Sequence, residues 1–272
     1  MRSISLILGA TALYSAIAAA QENYSLWPRR PAELEQAQKL IRQQEYKQAL
    51  ELLTPFVYKS GLTGHESRHL IGAIRTRTYL SPQHPRARTH TVRRGENIER
   101  IASAYKSSAD LLILINSMLE PSNLKIGQKL IVIPQDLRAE LHLSDREISV
   151  WDGQTLVATY DIVPGQALLQ AEGSNEETQL QEKEGEINGA RVPRSSALYP
   201  SSNKQLKLAN GIVLTGEAAP PKGKYVQLKQ RELNELSLLL GAKARVSIVG
   251  DAKSYDPYPS AGAQEQAAPA NK

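Results

Sequence analysis

Residues 89–134 read THTVRRGENIERIASAYKSSADLLILINSMLEPSNLKIGQKLIVIP. The start of this stretch, 91–93, predicts a short strand that Gly95 ends. Asn97 is placed to cap a helix, because an asparagine side chain accepts a hydrogen bond from one of the first free backbone N–H groups. The apolar residues that follow recur at the spacing of one helical face: Ile98, Ile101, Ala102 and Tyr105. This half of the stretch predicts a strand followed by a helix.

The second half of the stretch predicts another helix and a closing strand. Ser107 with Asp110 three residues later resembles a capping box, which predicts a helix start there. Pro121 ends that helix, because proline cannot continue the hydrogen-bond ladder. The apolar, β-rich run at 129–133 predicts the second strand. The whole stretch therefore predicts two short helices packed on a two-stranded sheet.

This stretch resembles the LysM domain family. The matching positions are Val92, Gly95, Ile98, Ile101, Ala102, Asn116, Leu124, Gly127, Gln128, Leu130, Ile133 and Pro134. The resemblance implies binding of glycans that contain N-acetylglucosamine, such as peptidoglycan or chitin, in a groove between loops 94–98 and 118–126. The implied glycan-binding residues are Gly95, Glu96, Asn97, Ile98, Leu119, Ser122, Asn123, Leu124, Lys125 and Ile126. The alternative is that the matched positions only form the core and cap the helices. We accept this alternative for the apolar positions. For the loops we predict binding, because functional residues concentrate in loops.

Length and composition limit the classes of function. The chain has 272 residues, which suggests about two domains, and 41% of them are hydrophobic. It has no cysteine, which excludes disulfides, thiolate metal sites and cysteine nucleophiles. A net charge of +5 is compatible with attraction to an anionic surface. Nucleic-acid binding is not predicted, because the sequence carries no nucleic-acid motif.

Both ends of the chain differ in composition from the middle. Residues 1–20 predict a secretory signal peptide: Arg2 is followed by an apolar run at 4–16 and by three alanines. The alternative is an uncleaved N-terminal anchor, and no later segment predicts a membrane span. The mature chain is therefore predicted to be exported to the periplasm or cell wall. The Ala/Pro/Gln-rich residues 251–272 predict a disordered tail.

Residues 31–80 predict helices, and 79–88 a linker with two prolines. The segment 45–50 resembles the middle of a tetratricopeptide repeat, which needs stacked neighbours to bury its faces. Packing within the chain and docking onto a partner both remain open as its role.

The sequence from His65 to His69 satisfies the H-E-x-x-H pattern, with Glu66 at the position of a general base. On a helix both histidines would share a face and could hold zinc. A catalytic zinc usually needs a third protein ligand. The longer form of the motif has a histidine as that ligand, and this chain has Arg75 at the position. Too little chain precedes the motif for the sheet of such peptidases. We therefore predict no metal site and interpret the pair as surface histidines on a helix.

The C-terminal region predicts a mostly-β domain at 138–250. Residues 138–163 alternate as a β-hairpin with Asp152-Gly153 as its turn. The acidic segment 166–187 predicts an exposed loop. Further strands are predicted at 205–214, 225–228 and 244–249, with a helix at 230–240.

This order of elements behind a LysM-like stretch resembles the YkuD-type L,D-transpeptidase domain, whose members remodel peptidoglycan through a cysteine thioacyl intermediate. The pattern matches best at 147–165 and at 225–249. Thr215 stands where the family has its histidine, Tyr225 where it has the nucleophilic cysteine, and Gln227 where it has arginine. A tyrosine hydroxyl, with a pKa of about 10, is mostly protonated at neutral pH. The resemblance therefore implies a degenerate domain without transpeptidase activity. The alternative is that the similarity is a coincidence of sheet architecture.

Taken together, the sequence predicts an α+β protein with an N-terminal helical hairpin, a LysM domain and an L,D-transpeptidase-like β domain. The predicted function is non-catalytic binding of peptidoglycan without a cofactor, in which the C-terminal domain binds wall peptides or regulates a remodelling enzyme. Two alternatives stay open: a zinc peptidase that uses His65, Glu66 and His69, and an interaction scaffold built on the N-terminal helices.

Overall fold

The computed structural model describes residues 30–59, 61–118, 121–143, 145–163, 176–194, 196–216 and 223–249. The predicted signal peptide and tail lie outside these ranges. The chain divides into two compact units, 1–55 and 56–272. Within the described ranges, no helix combines the length and the apolar character needed to cross a bilayer.

The first unit is a helical hairpin, as the sequence predicts. Helix α1 (Ala32–Arg42) and helix α2 (Tyr46–Leu53) are joined by a tight turn in which Gln44 adopts a positive φ of 63°. The two helices bury an apolar seam: Leu34, Ala37, Ala49 and Leu53. The spacing of these residues by three and four keeps them on facing sides of the helices.

The second unit holds four helices and eleven strands in the described part of the chain. The helices are α3 (Gly61–Tyr79), α4 (Ile98–Ala104), α5 (Ala109–Ile115) and α6 (Gln230–Leu239). The strands are β1 (Arg88–Thr91), β2 (Lys129–Val132), β3 (Leu137–His142), β4 (Glu147–Asp152), β5 (Thr155–Asp161), β6 (Glu176–Ile187), β7 (Ala190–Val192), β8 (Asn203–Leu208), β9 (Val213–Thr215), β10 (Tyr225–Gln227) and β11 (Arg245–Val249).

The predicted βααβ domain is present, with β1 antiparallel to β2 and helices α4 and α5 between them in sequence. Its core is apolar: Val92, Ile98, Ile101, Ala102, Ala109, Leu112, Ile113, Leu130 and Val132. Asn116 ties α5 to β2, because its side chain accepts a bond of 2.7 Å from the N–H of Ile131 and donates one of 2.8 Å to the same residue's carbonyl. These bonds satisfy two backbone groups that the two-stranded sheet leaves open.

Three boundaries of this domain differ from the prediction. The first strand is Arg88–Thr91 instead of 91–93, because the pairing register sets Arg88 opposite Val132 and Thr91 opposite Lys129. The second helix begins at Ala109 after Ser108, one residue later than the predicted start at Ser107. It ends at Ile115 instead of continuing to Pro121, and Ser117 beyond it has a positive φ of 49°. The hydroxyl of Ser108 does not cap the helix but donates to the carbonyl of Ser237 on α6 at 3.0 Å.

The other nine strands form one sheet in the order β10-β9-β8-β6-β11-β3-β4-β5, with β7 paired to β6. Strands β11 and β3, and β9 and β10, run parallel, and the remaining pairs are antiparallel. The predicted Asp152-Gly153 turn is confirmed between β4 and β5, where Gly153 has a φ of 58°. The predicted hairpin at 138–163 is, however, a three-stranded meander, because the chain also reverses between β3 and β4.

The prediction of an exposed loop at 166–187 is wrong for residues 176–187. They form β6, which lies between β11 and β8 inside the sheet. Ion pairs from neighbouring strands compensate its acidic side chains, as when Lys207 Nζ lies 2.9 Å from Glu184 Oε2. Residues 166–175 lie outside the described ranges. The single strand predicted at 205–214 is likewise two strands, β8 and β9, which turn at Gly211 with a φ of 86°.

Helix α3 lies along β5, the last strand in the sheet order. Arg75 Nη1 donates to the carbonyl of Leu156 at 2.8 Å, and Thr76 Oγ1 donates to that of Val157 at 3.2 Å. At Gly72 the backbones approach so closely that an added Cβ would lie 2.9 Å from the backbone nitrogen of Thr159. The helix therefore covers an edge strand that would otherwise be open to pairing with another chain.

Candidate functional site

The first predicted glycan loop is held by its own hydrogen bonds. Gly95 has a φ of 80°, which favours glycine. The carboxylate of Glu96 accepts a bond of 2.7 Å from the N–H of Arg93 and lies 2.9 Å from His90 Nε2. The predicted cap is confirmed, since Asn97 Oδ1 accepts from the N–H of Arg100 at 2.9 Å. The loop therefore has a fixed shape without a ligand.

Both loops line one pocket of about 270 Å³ in the βααβ domain. Five predicted glycan-binding residues face it: Glu96, Asn97, Ile98, Ser122 and Leu124. Gly95, Asn123, Lys125 and Ile126 lie in the same two loops outside the lining, and Leu119 lies outside the described ranges. Ile126 is 71% exposed, which leaves an apolar side chain open to a sugar face.

Three further residues line this pocket without having been predicted: Glu99, Pro121 and Arg194. Arg194 follows β7, far along the chain, so no local pattern in the sequence connects it with the glycan loops. Only the packing of the βααβ domain against the large sheet brings it there.

A second cavity of about 400 Å³ adjoins the first, and Glu99 and Arg194 line both. Its other walls come from α4, from the start of α5 and from β6 and β7, and they include Lys183, Arg191 and Tyr199. Burial raises the pKa of Tyr199 to about 12, so this hydroxyl remains a donor at neutral pH. The cavity thus offers cations and a phenol next to the pocket between the glycan loops.

A buried ion pair joins the two domains beside this cavity. Lys183 Nζ lies 3.2 Å from Asp110 Oδ2 and donates to Ser108 Oγ at 2.8 Å, and both charged side chains are at most 5% exposed. Burial lowers the pKa of Lys183, and the carboxylate of Asp110 opposes that shift. Arg194 Nε lies 3.7 Å from Asp110 Oδ1. These contacts fix the βααβ domain on the sheet.

The three positions that the sequence predicts to correspond to the L,D-transpeptidase motif lie on neighbouring strands. Thr215 on β9 pairs in register with Gln227 on β10, and Tyr225 pairs with Val213. Side chains at positions two apart share a face of a sheet, so all three project from the same face. Thr215 is buried, and Tyr225 is half-buried.

The H-E-x-x-H motif lies on α3, but its histidines are not ordinary surface residues. The side chains of His65 and His69 are 36% and 28% exposed, and both approach Asp161 at the end of β5. Arg75 stands at the position of the third ligand in the longer motif, and its side chain donates a hydrogen bond to the carbonyl of Leu156. The chain before the motif is too short to form a sheet, and the sheet on which α3 packs comes from the chain after the motif.

Comparison with known proteins identifies the βααβ unit. Residues 90–132 match the family model of the LysM domain, so this unit is a LysM domain, a module that binds peptidoglycan glycan strands. No curated protein matches the chain.

Two solved structures are similar to the chain over part of its length. One is a crystal structure of a mutant L,D-transpeptidase from Enterococcus faecium, with 13% identity over 42% of this chain and 50% of that one and a TM-score of 0.31. The other is Bd1075 from Bdellovibrio bacteriovorus, with 14% identity over 42% of this chain and 47% of that one and a TM-score of 0.31. The chain spans about half the length of the structures that it matches.

Proposed function

We propose that this protein is a non-catalytic peptidoglycan-binding protein of the bacterial cell envelope, exported by means of residues 1–20. The observation that carries the proposal is the pocket between loops 95–98 and 121–126 of the LysM domain. Its hydrogen-bonded loops are preorganised, which lowers the entropic cost of binding a glycan.

Two features of the sequence support the non-catalytic part of this proposal. The chain has no cysteine, so it cannot form a thioacyl intermediate. Thr215 and Tyr225 occupy the positions at which the family resemblance expects the histidine and the cysteine. A tyrosine hydroxyl at the second position would need a strong base to become a nucleophile.

The cavity beside the glycan pocket supports a role for the C-terminal domain in holding the peptide stem. Peptide stems project from the same glycan strands, and the two spaces share Arg194 and Glu99. A stem carries both carboxylates and amines, and the cavity walls carry Lys183 and Arg191 as well as Glu182 and Glu184. We propose that this cavity distinguishes peptidoglycan from a bare glycan such as chitin.

The glycan pocket is tested by co-sedimentation of the chain without residues 1–20 with purified peptidoglycan sacculi. Ser122→Trp fills the pocket from an exposed position, and Ile126→Ser removes an exposed apolar contact. We expect each variant to weaken binding by about tenfold or more, equivalent to about 1.4 kcal/mol. Leu62→Ser is the matched control, because Leu62 on α3 is also 71% exposed. This variant should bind peptidoglycan normally. Unchanged binding by both loop variants would contradict the proposal.

The peptide-stem cavity is tested by the variant Arg191→Ala, because Arg191 lines this cavity and does not line the glycan pocket. We expect it to reduce affinity for intact peptidoglycan by about tenfold, which corresponds to the loss of one charge-assisted contact of about 1.5 kcal/mol. Affinity for a chitin tetramer should stay within about twofold of that of the unaltered chain. Isothermal titration with soluble fragments that keep or lack the peptide separates the two effects. Equal losses for both ligands would show that the cavity does not read the peptide.

A further inference from the structure

A second cluster of donor atoms lies away from the glycan pocket, where α3 faces the end of β5. His65 and His69 are one turn apart on the helix, and their ring centroids are 4.3 Å apart. Asp161 places its Oδ1 3.4 Å from His65 Nε2 and 3.0 Å from His69 Nε2. We propose that these three side chains bind one divalent transition-metal ion of the Zn²⁺ class.

The spacing of the donor atoms suits such an ion. Zinc binds histidine nitrogen at about 2.0–2.1 Å and carboxylate oxygen at about 2.0–2.2 Å in a tetrahedral arrangement, in which two ligand atoms stand about 3.3–3.5 Å apart. The two separations from Asp161 Oδ1 are close to this value, and one donor atom from each residue lies within 4.8 Å of the others. An ion therefore needs only small side-chain movements to reach all three.

The hydrogen bonds around His65 prepare it as a ligand. His65 Nδ1 lies 2.9 Å from Glu147 Oε2, and Glu147 is in turn held by Arg68, whose Nε donates at 2.6 Å and whose Nη2 donates at 3.1 Å. A carboxylate that accepts from Nδ1 keeps the proton on that nitrogen, so Nε2 presents its lone pair. That nitrogen is the one near Asp161. A carboxylate behind a histidine in this way is typical of metal sites.

The position of His69 provides a separate argument. Its Nε2 is buried and lies 3.0 Å from Asp161 Oδ1, but within the described part of the chain it makes no hydrogen bond. A buried polar nitrogen without a partner is costly, at about 1–3 kcal/mol. A metal ion between His69 and Asp161 would satisfy this nitrogen with a geometry that the direct contact lacks.

The local charge and exposure also favour a cation. Three carboxylates lie here, those of Asp145, Glu147 and Asp161. The Arg68 guanidinium pairs with the first two. The three proposed ligands are 28–44% exposed, so an ion can enter from solvent and water can complete its coordination. Bound there, the ion would clamp α3 to β5.

The test is a zinc titration of the chain without residues 1–20, after treatment with a chelator and its removal. We expect one zinc per chain by calorimetry and by elemental analysis, and a rise in Tm that a chelator reverses, because an ion that binds the folded chain stabilises it. His69→Ala and Asp161→Asn should each weaken zinc affinity by at least about 100-fold, the upper end of the loss seen for outer hydrogen-bond partners of a metal site.

His90→Ala is the matched control, since His90 lies in the LysM domain and should leave zinc binding unchanged. Asp161→Asn keeps the test decisive if His69→Ala does not fold, because Asp161 is 44% exposed and its replacement is nearly isosteric. The proposal is overturned if zinc does not bind saturably, or if Asp161→Asn binds zinc as tightly as the unaltered chain. Peptidoglycan binding is expected to be unchanged in His69→Ala and Asp161→Asn, so this result and that of the glycan test are independent.

Discussion

Lys183→Ala will lower the free energy of unfolding by about 3–5 kcal/mol, as measured by urea denaturation followed by circular dichroism. The variant removes the ammonium group that bonds Ser108 Oγ and pairs with the buried Asp110. Asp110 then keeps Arg194 at 3.7 Å and an electrostatic interaction with Lys204, and the carbonyl of Ser237 loses a donor. A buried carboxylate with so little compensation is strongly unfavourable.

Two further variants separate the buried charge from other effects of this substitution. The double variant Lys183→Met with Asp110→Leu should recover most of the loss, because apolar residues of similar volume replace buried ion pairs at little cost. Lys229→Ala serves as an exposed control, since Lys229 is 66% exposed and pairs with Glu232 at the surface. It should change stability by less than about 0.5 kcal/mol. A loss below about 1 kcal/mol for Lys183→Ala would contradict this account of the interface between the domains.

Arg68→Ala will also cost about 3–5 kcal/mol, measured with a chelator present so that metal binding does not contribute. Arg68 makes two bonds to Glu147, which is 1% exposed, and donates at 3.0 Å to the carbonyls of Val57 and Lys59. Burial alone would raise the pKa of Glu147, but the hydrogen bonds from His65 and Arg68 lower it overall. The carboxylate is therefore ionised, and it would be left with His65 alone.

Arg68→Lys tests whether the forked geometry matters as well as the charge. A lysine ammonium cannot bond both carboxylate oxygens and two carbonyls at once, so it should restore less than half of the loss. Full recovery in Arg68→Lys would show that charge alone is sufficient, contrary to this expectation.

Local sequence patterns predicted the helices and one turn, but they missed the chain reversals between β3 and β4 and at Gly211. Asn97 caps α4 as predicted, because its bond to Arg100 depends only on residues three apart. The turn at Gly153 and the helix at 230–239 follow for the same reason. The LysM resemblance also indicated two loops that line one pocket, because all lining residues except Arg194 lie in one short stretch of the chain. Glycan binding in this pocket stays a prediction.

Contacts between distant parts of the chain explain what the sequence could not predict. The acidic composition of 176–187 indicated a loop, yet this segment lies inside the sheet because basic side chains such as Lys207 neutralise it. The helix start predicted at Ser107 lies one residue later, at Ser108, whose hydroxyl contacts Lys183 and Ser237 instead of capping the helix. Arg194 and Asp161 reach their sites only through tertiary folding, and neither carries a local signal of its own.

The most direct test of the central claim is an NMR titration of the mature chain with a soluble N-acetylglucosamine tetramer. We predict saturable chemical-shift changes that centre on residues 95–98 and 121–126 and that are lost in Ser122→Trp. Shifts that stay unchanged up to millimolar tetramer, or that centre on the large sheet and leave both loops unaffected, would contradict the claim that this chain binds glycan strands through its LysM pocket.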